Sequence, residues 1–216
     1  MLNEINSRYT NESGSCSNLS CGSNLDLLNI EKGENILDLG CGRGNETIQA
    51  AILTGIEGKA VGIDITQAMI DAAHANAESI GISNAWFIKG DIENIPFDEA
   101  VFDAVISNCV INHVKGKNKV YSEILRVLKR GGRFVISDVV SKNPLPEEIK
   151  NDPEAWAQCF GGAITEKEYL DSIISAGFTN IEILKRREYL KNGYDFISLT
   201  IRATKQGFGG CFVCSI

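Results

Sequence analysis

Positive charge and long apolar runs are both scarce in this chain of 216 residues. Lys and Arg number 21 against 28 Asp and Glu, and the formal net charge is −7. An acidic surface repels polyanions, so we expect neither nucleic acid nor an anionic membrane surface as a partner. No uninterrupted apolar run is long enough to cross a bilayer, and Met1–Glu4 lacks the basic and then apolar start of a secretory signal. These absences predict a cytoplasmic protein.

The glycine-rich stretch of the chain lacks one feature of a dinucleotide-binding fingerprint. Glycines stand at positions 40, 42 and 44, whereas G-x-G-x-x-G would need its third glycine at position 45, which is asparagine. No G-K-[ST] sequence follows to hold a phosphate. A short apolar segment, 36–39, precedes the glycines, and a segment of helical composition, 47–53, follows them. This order predicts a cofactor-binding turn in a doubly wound α/β sheet, and the alternative is an ordinary Rossmann-like turn without a ligand.

Cysteine, by contrast, is abundant. Because no secretory signal is found, we expect a reducing compartment in which disulfides are disfavoured, and the odd number of cysteines leaves one unpaired in any case. Thiolates that bind a soft metal or metalloid are one interpretation, and burial as small apolar residues is the other. The cysteines are Cys16, Cys21, Cys41, Cys109, Cys159, Cys211 and Cys214.

Strand-like and helix-like stretches alternate between residues 34 and 138, which predicts a parallel sheet with right-handed crossovers. After residue 138 the alternation loosens, and two strand-like stretches, 180–184 and 196–202, predict an antiparallel pair at the sheet edge. We divide the chain into an N-terminal arm, a cofactor-binding domain, an extension on the substrate side that completes the sheet, and a flexible tail with cysteines. The predicted bounds of these four parts are 1–30, 31–140, 141–206 and 207–216.

Three acidic residues follow predicted strands of this sheet. Asp38, Asp64 and Asp91 lie at the ends of apolar stretches, and the carboxyl ends of parallel strands are where open α/β sheets bind ligands. Asp64 comes 26 residues after Asp38 (64 − 38), close to the spacing at which Rossmann folds place the carboxylate that accepts the ribose hydroxyls. Acids rather than arginines at these positions suit a cationic ligand.

An acid before a G-x-G-x-G turn resembles motif I of the class I S-adenosylmethionine-dependent methyltransferases. Three segments that contain cysteine narrow the resemblance, because Leu19–Asn24, Ser107–Asn112 and Trp156–Ala163 are similar to three segments of the arsenite methyltransferase family. The gap of 50 residues between Cys109 and Cys159 (159 − 109) is also similar to the gap between the corresponding cysteines of that family.

The resemblance implies a Rossmann-like class I methyltransferase fold, with a mostly parallel seven-stranded sheet, helices on both faces and an antiparallel edge. It implies S-adenosyl-L-methionine as the cofactor and methylation of thiolate-bound trivalent arsenic, for detoxification, as the reaction. Trivalent arsenic is soft and prefers thiolate sulfur, and three thiolates leave its lone pair as the nucleophile. The implied arsenic ligands and catalytic residues are Cys21, Cys109 and Cys159, with Cys16 as a competitor for the place of Cys21. The implied cofactor-binding residues are Asp38, Gly40, Cys41, Gly42, Gly44, Asp64, Ile65, Met69, Gly90, Asp91, Ile92 and Asn108.

Two residues depart from the pattern of that family. His113 stands where the family usually has leucine, and Arg130 stands where it usually has proline. We expect neither departure to change the chemistry. Cys211 and Cys214, in the tail, are interpreted either as collectors of arsenite or as spectators.

Two other functions remain as alternatives. One is a methyltransferase of a small organic acceptor, such as a quinone precursor or a thiol, in which the cysteines only pack. The other is a non-catalytic thiol protein that binds arsenite or a soft metal and needs no methyl donor. For the arsenite methyltransferase, the expected partners are arsenite or its thiol conjugates and a thiol reductant, and the expected state is a monomer.

Overall fold

The computed structural model describes residues 24–207, which form one mixed sheet with helices packed on it. None of the helices in this range is long and apolar enough to cross a membrane. The strands are β1 (Asn35–Leu39), β2 (Lys59–Asp64), β3 (Ala85–Lys89), β4 (Phe102–Asn108), β5 (Leu128–Ser141), β6 (Phe178–Lys191) and β7 (Tyr194–Lys205). The helices are α1 (Leu25–Leu28), α2 (Asn45–Thr54), α3 (Gln67–Ser79), α4 (Lys117–Val127), α5 (Glu147–Lys150), α6 (Pro153–Ala157) and α7 (Glu166–Ala176), with a 3-10 helix at Ile111–His113.

The seven strands are ordered β3-β2-β1-β4-β5-β7-β6. Strands β1 to β5 pair in parallel, whereas β7 is antiparallel to both β5 and β6. The strand order reverses between β1 and β4, and such a switch point is where open α/β sheets bind their ligands. The topology confirms the predicted Rossmann-like fold of the class I methyltransferases, including its antiparallel edge.

Neighbouring side chains of β1 enter apolar clusters on opposite faces of the sheet, as the alternation of a strand requires. Ile36 packs with α1 and α2, through side chains that include Leu28 and Ala50. Leu37 and Leu39 join a larger cluster on the other face, to which α4 and α7 contribute. These five side chains are fully buried. A strand covered on both faces explains why the sequence of β1 reads as a nearly continuous apolar run.

The two strands of the antiparallel pair are longer than the sequence predicts. Strand β6 spans residues 178–191 and β7 spans 194–205, beyond the apolar stretches that suggested an antiparallel pair. A two-residue turn joins them at Asn192 and Gly193, and both residues have positive φ, as a tight hairpin turn needs. Most side chains of β6 are exposed. Backbone pairing therefore extends this strand, and an apolar pattern could not reveal where it ends.

Candidate active site

The glycine turn between β1 and α2 has a left-handed backbone at each of its glycines. Gly40, Gly42 and Gly44 have φ angles of 70°, 51° and 81°, which glycine adopts without the steric cost of a side chain. A Cβ on Gly40 would lie 2.2 Å from Cγ2 of Val110, and one on Gly44 would lie 2.6 Å from the ring of Phe87. A Cβ on Gly42 would meet no atom of the described residues within 4 Å. The turn is packed at both ends and open in the middle, where a ligand can approach its backbone.

Asp64, at the end of β2, supports the open part of this turn. Its Oδ2 accepts a hydrogen bond from the Gly42 N–H at 3.0 Å, and its Oδ1 accepts one from the Thr66 N–H at 2.8 Å. Burial raises the pKa of this carboxyl, and the two N–H donors oppose the rise. Asp64 and Gly42, both predicted to bind the cofactor, are therefore in direct contact.

Asp38 lies buried beneath the turn. Its side chain is only 4% exposed, and its Oδ2 accepts a hydrogen bond from the Thr47 hydroxyl at 2.6 Å. Burial, together with the nearby negative charge of Glu46, raises the pKa of this carboxyl to about 8. The raised pKa favours the neutral form of the carboxyl, and the bond to Thr47 links β1 to the first turn of α2.

Three further predicted cofactor-binding residues lie where β2 and β3 end. The Gly90 N–H donates to the carbonyl of Asp64 at 3.0 Å, which joins the two strand ends. Asp91 is exposed, and its Oδ1 accepts the Glu93 N–H at 2.8 Å in a local turn. Ile65, next to Asp64, is partly exposed. The strand ends thus form a continuous edge beside the glycine turn.

Three other predicted cofactor-binding residues have side chains that face the core. Met69 has no exposed surface, and Ile92 is 7% exposed. Cys41 is a free, buried cysteine, and a Cβ on Gly62 would lie 2.8 Å from its Sγ. Burial raises the pKa of the Cys41 thiol. For these residues a cofactor contact through the backbone stays a prediction.

Asn24 and Glu46 are polar residues at this edge that no sequence pattern predicted to belong to the site, whereas Asn108 was predicted. The backbone N–H of Asn24 and the side-chain amide of Asn108 donate to the two carboxylate oxygens of Glu46, at 2.9 and 3.2 Å. Asn24 is 2% exposed, its Nδ2 donates to the Ser107 carbonyl at 2.9 Å, and its Oδ1 accepts from the Ser137 hydroxyl at 2.6 Å. These bonds attach the start of the described chain to the end of β4 and to β5. One feature of the sequence could have indicated Asn24: it is the last residue of Leu19–Asn24, a segment already identified by resemblance.

Cys109 follows directly after β4 and has a left-handed backbone, with φ 57°. Its N–H donates to the carbonyl of Ser137 at 2.8 Å, and the residue is 7% exposed. The next residue, Val110, is the one that packs against Gly40. Cys109 therefore lies at the carboxyl edge of the sheet beside the glycine turn. Its sulfur is disulfide-bonded, which differs from the expectation that disulfides are disfavoured.

Cys159 lies between α6 and α7 and also has a left-handed backbone, with φ 65°. Its thiol is free and partly exposed, and its Sγ lies 3.2 Å from Nε2 of His113. Its carbonyl accepts a hydrogen bond from Nδ2 of Asn112 at 3.2 Å. Positive φ is uncommon outside glycine and is concentrated at functional sites. Both Cys109 and Cys159 have this backbone conformation.

Residues that follow Cys109 in the chain contact the segment that contains Cys159. Lys117 is 5% exposed, and its Nζ donates to the carbonyl of Gly162 at 2.7 Å. A Cβ on Gly162 would lie 1.9 Å from the carbonyl oxygen of Asn112, so only glycine permits this approach. Burial lowers the pKa of Lys117 to about 8. The two cysteine segments are thus packed together at the same edge of the sheet.

The third predicted arsenic ligand, Cys21, lies outside the described residues, as do Cys16, Cys211 and Cys214. Within residues 24–207, no three His, Cys, Asp or Glu side chains are grouped so that they could hold a metal ion. The structure brings the segments of Cys109 and Cys159 together, and a three-sulfur site stays a prediction.

Comparison with known proteins agrees with this geometry. A family model described as a methyltransferase domain matches residues 30–177. The arsenite methyltransferase of Halobacterium salinarum is 36% identical over 170 residues, which cover 79% of this chain and 44% of that protein. The arsenite methyltransferase of Homo sapiens is 35% identical over 193 residues, covering 81% of this chain and 52% of that protein. The chain spans about half the length of these curated relatives.

A solved structure is similar over a larger share of its length. CrArsM, an arsenic(III) S-adenosylmethionine methyltransferase from Chlamydomonas reinhardtii, superposes with a TM-score of 0.76 at 30% identity, covering 92% of this chain and 74% of that one. The sheet order, the glycine turn and the matching domain define an S-adenosylmethionine-dependent methyltransferase of class I. Within that class, the chain belongs to the arsenite methyltransferase family.

Proposed function

We propose that this chain transfers methyl groups from S-adenosyl-L-methionine to thiolate-bound trivalent arsenic, and so detoxifies arsenic. The observation that carries the proposal is the place of Cys109. Val110 packs against Gly40, so the preceding residue, Cys109, lies beside the turn that would hold the cofactor. Membership of the arsenite methyltransferase family supports arsenic as the acceptor.

The glycine turn fits S-adenosylmethionine, because its middle is open to a ligand. The hydrogen bond from the Gly42 N–H to Asp64 holds the backbone of the turn in place. The cofactor supplies an electrophilic methyl group on a cationic sulfonium. The Asp64 carboxylate has lone pairs beyond the two that accept N–H groups, and we assign them to the ribose hydroxyls. The exposed carboxylate of Asp91 is assigned to the adenine amino group.

The thiolates of Cys21, Cys109 and Cys159 are proposed to hold arsenic in a pyramid. Its lone pair then points away from the three sulfurs and attacks the methyl carbon, so no general base is required. The As–C bond forms as the S–CH₃ bond breaks, and S-adenosylhomocysteine is the leaving group. Arsenic is formally oxidised from +3 to +5 in this step, and a thiol reductant returns it to the trivalent state. The task of the protein is to position arsenic about 3–3.5 Å from that carbon, in line with the departing sulfur. The hydrogen bonds of the Cys159 segment to Asn112 and Lys117 support such fixed positioning.

A thiol reductant is proposed as a second partner. Cys109 is disulfide-bonded in this structure, and only a reduced thiolate binds a thiophilic centre. A thiol reductant would supply the reduced form of Cys109 that binds arsenic. We further propose that the protein works as a monomer in the cytoplasm, where such reductants are abundant.

The test is to incubate the purified protein with arsenite, a thiol and S-adenosylmethionine labelled in its methyl group, and then to identify the arsenic products. Labelled methylarsenic species are the expected result. Label in a quinone precursor or thiol, with none in arsenic, would establish the organic-acceptor alternative. Arsenite binding without any methyl transfer would establish the non-catalytic thiol protein.

Serine in place of either described ligand (C109S or C159S) should abolish arsenic methylation, because the hydroxyl is a poor ligand for a soft centre. The affinity for S-adenosylmethionine, measured by calorimetric titration, should stay nearly unchanged. S122A is the control, since Ser122 is exposed on α4 and its hydroxyl only donates to the Asn118 carbonyl, and it should retain activity. Loss of cofactor binding in C109S and C159S would make these cysteines structural instead.

A further inference from the structure

His113 contacts the sulfur of Cys159 across a long stretch of chain. The two residues are 46 positions apart, and Nε2 of the imidazole lies 3.2 Å from Sγ, within hydrogen-bonding distance for sulfur. His113 ends the 3-10 helix Ile111–His113, and its backbone N–H donates to the carbonyl of Val110 at 2.9 Å. The imidazole is therefore carried on a short structured element that starts two residues after Cys109.

The backbone of Cys159 is already held in place. Its carbonyl accepts from the Asn112 amide, and three residues later the Gly162 carbonyl accepts from Lys117. The freedom left to the cysteine is its χ1 angle, which has three staggered positions. Contact with Nε2 of His113 selects one of the three, whichever partner donates the proton.

We propose that His113 is a positioning residue that holds the Cys159 sulfur in the orientation that binds arsenic. This inference rests on the proposed function, and it gives His113 a role in binding that leaves the chemistry of the methyl transfer unchanged. A fixed sulfur binds arsenic without first losing rotational freedom. His113 thus strengthens arsenite binding while leaving the affinity for S-adenosylmethionine unchanged.

The test compares three variants of the full chain. H113Q keeps a polar atom near the place of Nε2, whereas H113N is too short to reach Sγ and H113L removes the hydrogen bond altogether. The arsenite concentration for half-maximal methylation should rise about fivefold in H113L and H113N, the effect of one lost net hydrogen bond. H113Q should stay close to the wild type. The maximal rate and the cofactor affinity should change little in all three.

A second measurement is independent of methylation. Cys159 is alkylated with N-ethylmaleimide after reduction, its modification is followed by peptide mass spectrometry, and each variant is normalised to its own rate without arsenite. Half-protection should need about fivefold more arsenite in H113L and H113N than in the wild type or H113Q. Equal protection in all four proteins would overturn the role of His113. Protection that differs as expected, without methylated arsenic in any protein, would refute the proposed reaction and retain the positioning role.

Loss of cofactor affinity in H113L and H113N to the same extent as arsenite affinity would also overturn the proposal, because it would show a general structural role. If H113L alone unfolds, the comparison of H113N with H113Q tests the role of His113, since both replacements are polar amides.

Discussion

At the scale of single residues, the site contains ionisable groups that the fold has taken out of water. Burial raises the pKa of Asp38 to about 8 and that of Asp138 to about 6, and it lowers the pKa of Lys117 to about 8. Each shift favours the neutral form, which is the direction that desolvation dictates. Asp38 consequently serves the folded protein as a hydrogen-bonding group rather than as a charge at neutral pH.

The stability of the wild type should fall with rising pH on account of Asp38. Its folded-state pKa lies above the value of an unfolded aspartate, so this contribution is fully present below about pH 4 and is lost as pH rises through about 8. D38N should remove this loss, because the amide stays neutral and its oxygen still accepts from Thr47. Urea denaturation should show D38N gaining on the wild type between pH 5 and pH 8.5.

The control for that experiment is D91N, which removes an exposed carboxylate after β3. Its unfolding curve should follow the wild type at both pH values. Parallel pH profiles for D38N and the wild type would contradict the assignment of a raised pKa to Asp38.

At the scale of elements, the start of α4 supports the Cys159 segment. Lys117, the first residue of α4, donates its ammonium to the carbonyls of Gly162 and Val114. The ring of Tyr169, on α7, stacks edge-on to Tyr121 of α4, and its hydroxyl donates to Asp138 at 3.2 Å. Helices α4 and α7 and strand β5 therefore converge under the loop between α6 and α7.

The free energy of unfolding of the wild type should increase relative to that of K117M as pH rises from 7 to 10. The folded-state pKa of Lys117, about 8, lies below its ordinary value of 10.5, so the folded protein binds fewer protons in that window and gains stability there. This stabilisation by Lys117 is lost as pH falls through about 8. Urea denaturation at pH 7 and pH 10 measures the difference.

K119M provides the comparison on the same helix, because Lys119 is exposed. We expect its stability difference from the wild type to stay constant over the same range. A constant difference for K117M as well would show that its ammonium is not desolvated in the folded protein.

At the scale of the whole molecule, one arginine joins the start of the described chain to the sheet. Arg133, on β5, donates to both carboxylate oxygens of Glu34 at 2.7 and 2.8 Å, and to the carbonyls of Leu28 and Asn29 at 2.6 Å each. Its side chain is 19% exposed and that of Glu34 is 15% exposed. A bidentate, largely buried pair of this kind is stronger than an exposed one.

R133M should lower the free energy of unfolding by about 1–3 kcal/mol, the usual effect of losing hydrogen bonds to a charged group. The more exposed pair of Lys129 and Asp103 offers the control, and K129M should cost less than about 1 kcal/mol. Urea denaturation of the two variants at neutral pH measures both. Equal losses would show that burial does not distinguish the two ion pairs.

The sequence by itself determined the central strands, the glycine turn and the acids that follow the strands. These features depend on neighbours in the chain: the apolar run of β1 requires burial on both faces, and a left-handed turn requires glycine at positions such as Gly42. The cysteine segments were identified by their resemblance to segments of the arsenite methyltransferase family. The antiparallel edge was predicted too, although the ends of β6 were not, because its side chains are mostly exposed.

Only the tertiary structure decided which distant groups meet at the edge of the sheet. It placed Asn24 against Glu46, Lys117 against Gly162, and His113 against Cys159. A lysine at a helix start and a histidine after a strand have no sequence pattern that separates a solvated side chain from one buried against a loop. Such contacts depend on how separate segments dock on the sheet, because desolvation and hydrogen-bond geometry are properties of the packed molecule.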